Sequence, residues 1–106
     1  MSFFRIAHGK VAQGQREGFE MAYRKAVHAT GQQRGLHGRW LMRDMADPDA
    51  YYGVTAWDDM DALKAYETGA NKEIASTVAP FMAGDFTITY CEERYLWLAI
   101  NDYSGA

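Results

Sequence analysis

The run of residues 51–57, Tyr-Tyr-Gly-Val-Thr-Ala-Trp, constrains the fold most, because it carries no charged side chain. Successive side chains of a β-strand point to opposite faces, so a strand with one wet face alternates apolar and polar residues. This run is uncharged on both faces, which predicts that both are covered. Two helices cover only one face of a four-stranded sheet, and a second copy of the chain is the simplest cover for the other. We therefore expect a homodimer.

The spacing of apolar residues predicts the element order β-α-β-β-α-β. Strands are expected at residues 3–11, 35–45, 51–57 and 86–95. A helix is expected over residues 15–30, with Gly31 as its stop. The result is an α+β chain with a four-stranded antiparallel sheet.

The second helical region, which follows residue 57, is expected to have two parts. Asp58 is placed to cap its start, and Gly69 divides it. Asn71 can cap the second segment, which Pro80 ends.

Alternation also assigns residues to the two faces of the sheet. In the first strand, Phe4, Ile6 and His8 share one face, and Phe3, Arg5 and Ala7 share the other. In the second strand, Leu36, Gly38, Trp40 and Met42 oppose His37, Arg39, Leu41 and Arg43. The face with His8 is the predicted dimer face.

The composition indicates one folded domain over residues 1–106. The net charge of -3 and the pI near 5.5 provide no basic surface for nucleic acid. Cys91 is the only cysteine, which excludes an intrachain disulfide, and we expect a buried structural thiol. The sequence has no apolar run of the ~20 residues that a membrane span needs and no signal-peptide pattern, which predicts a cytoplasmic protein without a membrane partner.

The C-terminal extension, residues 96–106, begins with the apolar run Leu-Trp-Leu-Ala-Ile. A tail this apolar is expected to dock rather than fray into water. We expect it to pack on the partner subunit or to close the mouth of a pocket.

Three segments together resemble the antibiotic biosynthesis monooxygenase (ABM) family. They are residues 36–44 (Leu-His-Gly-Arg-Trp-Leu-Met-Arg-Asp), residues 47–50 (Asp-Pro-Asp-Ala), and Ala56-Trp57-Asp58 continuing into residues 62–66. The resemblance extends from residue 3 to residue 95. It implies a ferredoxin-like fold that dimerises into an α+β barrel, with a ligand cavity between the helices and the sheet of each subunit.

The heme-degrading branch of these relatives uses an Asn in the first strand, and a Trp and an iron-ligating His in the second helical region. The matching positions here are Ala7, Tyr66 and Ala75. The resemblance therefore implies no heme, and the chain carries no short pair spacing of metal ligands. We expect neither a cofactor nor a metal ion.

A cofactor-free oxygenase must deprotonate a phenol and stabilise the resulting oxyanion. Candidate bases are His8 and His37, with structural or surface roles as the alternatives. Candidate anion-binding residues are Arg5 and Arg39, because an arginine among aromatic residues needs a carboxylate, water or an anionic ligand. The alternative for both is a salt bridge with a glutamate at 92 or 93.

Five aromatic residues are candidates for binding a substrate, since tyrosine and tryptophan combine apolar area with a hydrogen-bond donor. They are Tyr23, Trp40, Trp57, Tyr66 and Tyr90. The alternative is plain core packing, above all for Trp57.

The leading functional hypothesis is a dimeric, cofactor-independent monooxygenase of a small aromatic such as a polyphenol, anthrone or hydroquinone. The main alternative is a non-catalytic small-molecule binding protein of the same fold, and a heme-binding relative is a lesser one. An RNA-binding domain of the same strand order would need exposed aromatics beside basic residues on the central strands, which this acidic chain does not offer.

Overall fold

A four-stranded antiparallel sheet carries the helices on one face in the computed structural model, which describes residues 1–99. The elements are β1 (Phe3–Lys10), α1 (Arg16–Thr30), β2 (Leu36–Arg43), β3 (Ala50–Trp57), α2 (Met60–Thr68), α3 (Ala70–Val78), a 3-10 turn (Ala79–Phe81) and β4 (Thr87–Glu92). The sheet order is β2-β3-β1-β4. The predicted α+β ferredoxin-like fold is confirmed. None of the helices among the described residues is long and apolar enough to cross a membrane.

The helix boundaries confirm two predictions and correct two. Gly31 follows α1 with φ +71°, and Gly69 separates α2 from α3. Asp59, not Asp58, caps α2: its extended backbone aims the carboxylate at the Ala62 N–H, 2.7 Å away. Asn71 caps nothing, because α3 starts directly after Gly69 and Asn71 already lies in its first turn.

The strands obey the predicted alternation except at the start of β2. A β-bulge lies between Leu36 and Gly38, where the register with β3 shifts. Leu36 therefore packs into the helix-side core instead of sharing the face of Trp40. β4 ends at Glu92, earlier than the predicted strand.

The core lies between the sheet and the helices. Trp57 and Leu63 are its largest fully buried side chains. Trp57 packs on Tyr66 with ring centroids 4.8 Å apart, and its indole N–H donates to Thr55 Oγ1 at 2.8 Å. This bond satisfies the one polar atom of the indole, so the side chain stabilises the interior at little polar cost.

The opposite side of the sheet, here called the open face, is bare in the single chain. Its residues are Phe4, Ile6 and His8 of β1, Gly38, Trp40 and Met42 of β2, Tyr52, Val54 and Ala56 of β3, and Thr87, Thr89 and Cys91 of β4. Trp40 and Met42 are each 48% exposed. The Trp40 ring covers Gly38, where a Cβ would lie 2.8 Å from it.

Two predictions concern residues in the C-terminal third of the chain that the structure shows to be exposed. Cys91 is exposed rather than buried, because it points to the open face of an edge strand. Leu96, Trp97 and Leu98 are exposed as well and cover no pocket of their own chain. Residues 100–106 of the predicted extension lie outside the described residues.

Candidate functional site

An internal hollow of about 70 Å³, here called the inner cavity, lies between the helices and the sheet. Its lining is Arg5, Ala7, Phe19, Tyr23, Arg39, Leu41, Tyr51, Gly53, Thr55, Tyr66, Asn71, Ile74, Ala75, Val78 and Phe86. At about 10–15 Å³ of such volume per water, it holds roughly five waters, close to the size of one benzene-like ring. The inner cavity therefore has room for a small molecule of about that size.

Arg39 reaches the inner cavity from the edge strand β2. Its Nη1 donates to the hydroxyls of Tyr23 and Tyr66 at 3.3 and 3.2 Å. Its guanidinium lies 5.3 Å from the centre of the Tyr66 ring. Burial opposes the charge, but the hydrogen bond to Tyr23 and the attraction of both tyrosine oxygens raise the pKa of Arg39 above its usual value. A fixed positive charge thus faces an otherwise apolar space.

Arg5 reaches the same space from β1, with only 10% of its side chain exposed. Its Nε donates to Glu67 Oε2 at 2.7 Å, and the Tyr90 hydroxyl donates to the same oxygen. Burial opposes ionisation of Glu67, yet the hydrogen bonds from Tyr90 and Arg5 hold the pKa of this carboxyl below its usual value. The hydrogen bond between Tyr90 and Glu67, together with burial, raises the pKa of the Tyr90 hydroxyl above its usual value.

The predicted salt bridge of either arginine with a glutamate at 92 or 93 is wrong for the described residues. Arg5 pairs with Glu67 instead. Glu92 lies opposite Phe3 and pairs with Arg94. Within residues 1–99, Arg39 lies within 4 Å of no carboxylate.

The two histidines predicted as bases lie away from the inner cavity. His8 stacks on Tyr52 on the open face, with ring centroids 4.3 Å apart. His37 is exposed near the bulge and contacts Asp58 and Ser2. A catalytic role for either stays a prediction, and the geometry of this chain gives it no support.

The five predicted aromatic residues separate into three groups. Tyr23 and Tyr66 line the inner cavity. Trp57 belongs to the core and Trp40 to the open face. Tyr90 is 52% exposed on the edge strand β4 and acts on the site only through Glu67.

Sequence reasoning missed several polar residues of the site, among them Glu67 and Asn71. Glu67 follows Leu63 by four positions, so it continues the inward stripe of α2, and a charge on such a stripe was the available signal. Asn71 lines the inner cavity from the first turn of α3. The pattern of α2 does not predict this position, because the break at Gly69 changes which residues of α3 face inward.

The three positions compared with the heme-degrading branch all line the inner cavity: Ala7, Tyr66 and Ala75. Two of them carry only a methyl group. The described lining contains neither histidine nor cysteine, so the donor set does not fit a histidine-ligated heme.

The fold and this cavity define an α+β protein with a partly open, partly cationic hollow beneath its helices. The sequence model of the antibiotic biosynthesis monooxygenase family matches residues 2–71. The chain belongs to this family, as the resemblance predicted.

Solved structures of other proteins share the fold. A conserved protein from Methanosarcina mazei Go1 superposes with a TM-score of 0.77 at 14% identity, covering 89% of this chain and 94% of that one. A protein from Bordetella bronchiseptica gives 0.76 at 24% identity, covering 90% and 98%. SnoaB of Streptomyces nogalater, a cofactor-independent oxygenase, gives 0.74 at 16% identity, covering 90% and 95%. No protein of curated function matches the sequence significantly.

Proposed function

We propose that the chain is a cofactor-independent oxygenase that oxidises a small aromatic substrate in the inner cavity. The observation that carries the proposal is the convergence of Arg39, Tyr23 and Tyr66 on an apolar, ring-sized space. Because both tyrosine oxygens accept from Arg39, their own hydrogens are free to donate to a bound oxygen atom. SnoaB, which shares the fold, is described as such an oxygenase.

The first chemical task of the site is to stabilise the ionised substrate. A phenol seated against Arg39 loses its proton more easily, because the guanidinium and the two tyrosine donors stabilise the phenolate. The described lining contains no histidine, cysteine or carboxylate, so the proton passes to solvent water in this proposal. The apolar part of the wall strengthens the electrostatic attraction, since it lowers the local dielectric constant.

The oxidation balances without any further reactant. An activated CH₂ of the ionised ring system loses one proton to solvent water, and the resulting carbanion, conjugated with the phenolate, gives one electron to O₂. The radical pair then combines into a peroxide at the remaining CH. Loss of water from the peroxide leaves a carbonyl group. One oxygen atom enters the product, the other leaves as water with the two hydrogens of the CH₂, and the four electrons lost by carbon reduce O₂ fully.

Oxygen uptake tests this proposal. We expect turnover of some member of a panel of hydroquinones and anthrones, and a fall in kcat/KM of about 100-fold for Arg39→Met, as for other lost oxyanion donors. The matched control is Arg24→Met, because Arg24 is exposed on α1 and lies outside the inner cavity. Equal activity of both variants would contradict the proposed role of Arg39.

A non-catalytic small-molecule binding protein is the second candidate. The absence of a titratable base from the described cavity lining favours it, because such a protein needs none. Saturable binding of an aromatic ligand without oxygen uptake would support this function. Hemin is expected to give no histidine-ligated Soret band, and tight stoichiometric binding would revive the heme-binding alternative.

The proposed oxygenase is a homodimer joined through the open face. Two observations support this arrangement. The open face carries no Asp, Glu, Lys or Arg, and Trp40 and Met42 are exposed at its edge. The exposed residues Leu96, Trp97 and Leu98 are then available to pack on the partner subunit.

A further inference from the structure

The charged groups at the inner cavity do not cancel. Arg5 and Arg39 line it, and Glu67 neutralises Arg5 through their 2.7 Å contact. Arg39 keeps its charge, with two neutral hydroxyls and an aromatic ring as neighbours. Two cations and one carboxylate leave one uncompensated positive charge in a largely apolar hollow.

The hydrogen-bonding groups around Arg39 are mostly donors. Both of its hydrogen bonds use Nη1, so Nε and Nη2 donate to no residue that the structure describes. The Tyr23 and Tyr66 hydroxyls add two more free hydrogens. Such a group of donors is matched by an oxygen that only accepts, as in a phenolate or a carboxylate.

Building on the proposed function, we propose that the inner cavity selects an aromatic ring bearing a single negative charge. We also propose that Glu67 determines this specificity. A neutral ring would leave the charge of Arg39 unbalanced, and a dianion would leave a negative charge in excess. Glu67 does not line the inner cavity, so it acts through Arg5 as a specificity-determining residue.

The preference for a ring with a single negative charge is here called the charge rule. Calorimetric titration without oxygen tests it on the intact chain at pH 7.5. The probes are benzoate with one charge, benzamide with none and phthalate with two. We expect benzoate to bind at least ~10-fold more tightly than benzamide, the equivalent of about 1.4 kcal/mol. Arg39→Met should remove this preference, and the exposed control Arg24→Met should keep it.

Two variants shift the charge balance in opposite directions. Glu67→Gln leaves two positive charges, so the affinity ratio of phthalate to benzoate should rise about 10-fold. Arg5→Gln leaves none, so the preference for benzoate over benzamide should disappear. The control Glu73→Gln changes the same charge on the exposed side of α3 and should alter neither ratio. If one variant fails to give a cooperative unfolding curve, the other still tests the rule.

A fourth probe separates the two sources of the charge. 4-Nitrophenol ionises near neutral pH, and titration in two buffers of different ionisation enthalpy reports whether its binding releases a proton. Proton release together with weak benzoate binding would assign the charge to a phenolate; tight benzoate binding would assign it to a carboxylate. Either result supports a monoanion.

Benzamide binding as tight as that of benzoate, or a preference of the natural chain for phthalate, would overturn the inference. Oxygen uptake is measured separately, so the two proposals fail independently. Turnover of a neutral hydroquinone without charge selection would refute only the charge rule. Charge selection without turnover would refute only the oxygenase.

Discussion

The two faces of the sheet differ in the charged side chains that they carry, although the same strands form both. On the helix side, β1 and β2 present Arg5 and Arg39, and each guanidinium has partners that hold it in place. On the open face, the alternate residues Ile6 and Trp40 are uncharged, and Trp40 is about half exposed. Charge is thus present where the chain itself supplies hydrogen-bonding partners, and absent from the face that the proposed dimer would cover.

This difference explains why a run of uncharged residues marks β3. As an inner strand of the sheet, it contributes Thr55 and Gly53 to the inner cavity and Val54 to the open face. Both environments are shielded from bulk water in the proposed dimer, so a charged side chain there would need hydrogen-bonding partners such as those of Arg39.

The largest expected effect comes from placing a charged side chain on the open face. Val54→Lys places two symmetry-related charges in the proposed interface, and we expect the dimer dissociation constant to rise about 100-fold or more. Sedimentation velocity at micromolar concentration measures it. The control is Ser76→Lys on the exposed side of α3. A natural chain that sediments as a monomer would refute the proposed dimer itself.

The next effect concerns the covered side. Trp57→Phe removes buried volume and leaves Thr55 Oγ1 without its donor, so we expect a loss of about 2 kcal/mol in the free energy of unfolding. Urea denaturation measures the loss. The control Met21→Ala removes apolar volume at an exposed site on α1, away from the proposed interface, and should cost less than about 0.5 kcal/mol. Similar losses for both variants would contradict the assignment of Trp57 to the core.

A smaller effect is expected at Gly53. A Cβ built there meets nothing within 4 Å, and the residue lines the inner cavity. Gly53→Ala should therefore leave stability unchanged or slightly higher, while ligand affinity falls by roughly threefold to tenfold as the space shrinks. Calorimetric titration and thermal unfolding measure the two quantities. Loss of stability without loss of affinity would place the ligand elsewhere.

The smallest effect is the acid dependence of the Arg5–Glu67 pair. The folded-state pKa of Glu67 lies below its usual 4.5, so its contribution is complete above about pH 4.5 and is lost as the pH falls through the folded-state pKa. Glu67→Gln should cost roughly 1 kcal/mol at pH 7, and progressively less in acid. Urea denaturation from pH 7 to pH 3 measures the difference. A constant difference would show that the pair contributes nothing through its charge.

The sequence was sufficient for the element order, the break at Gly69 and the faces of β1, because hydrophobic period and turn chemistry are local signals. The partner of Arg5 was out of reach: the contact to Glu67 joins residues 62 positions apart and depends on how α2 crosses the sheet. The exposure of Cys91 could not be predicted either, because the alternation of residues in a strand does not show whether that strand lies at an edge of the sheet.

The bulge between Leu36 and Gly38 has a consequence for sequence change. It lets Leu36 and Arg39, three residues apart, both point beneath the helices. Deleting His37, the residue that the ladder skips, would leave Leu36 and Arg39 two positions apart, on the same face and opposite the same partners, Trp57 and Thr55. This segment should therefore tolerate the loss of that residue, and the turn at residues 44–49, which joins β2 to β3 outside both layers, is free to lengthen.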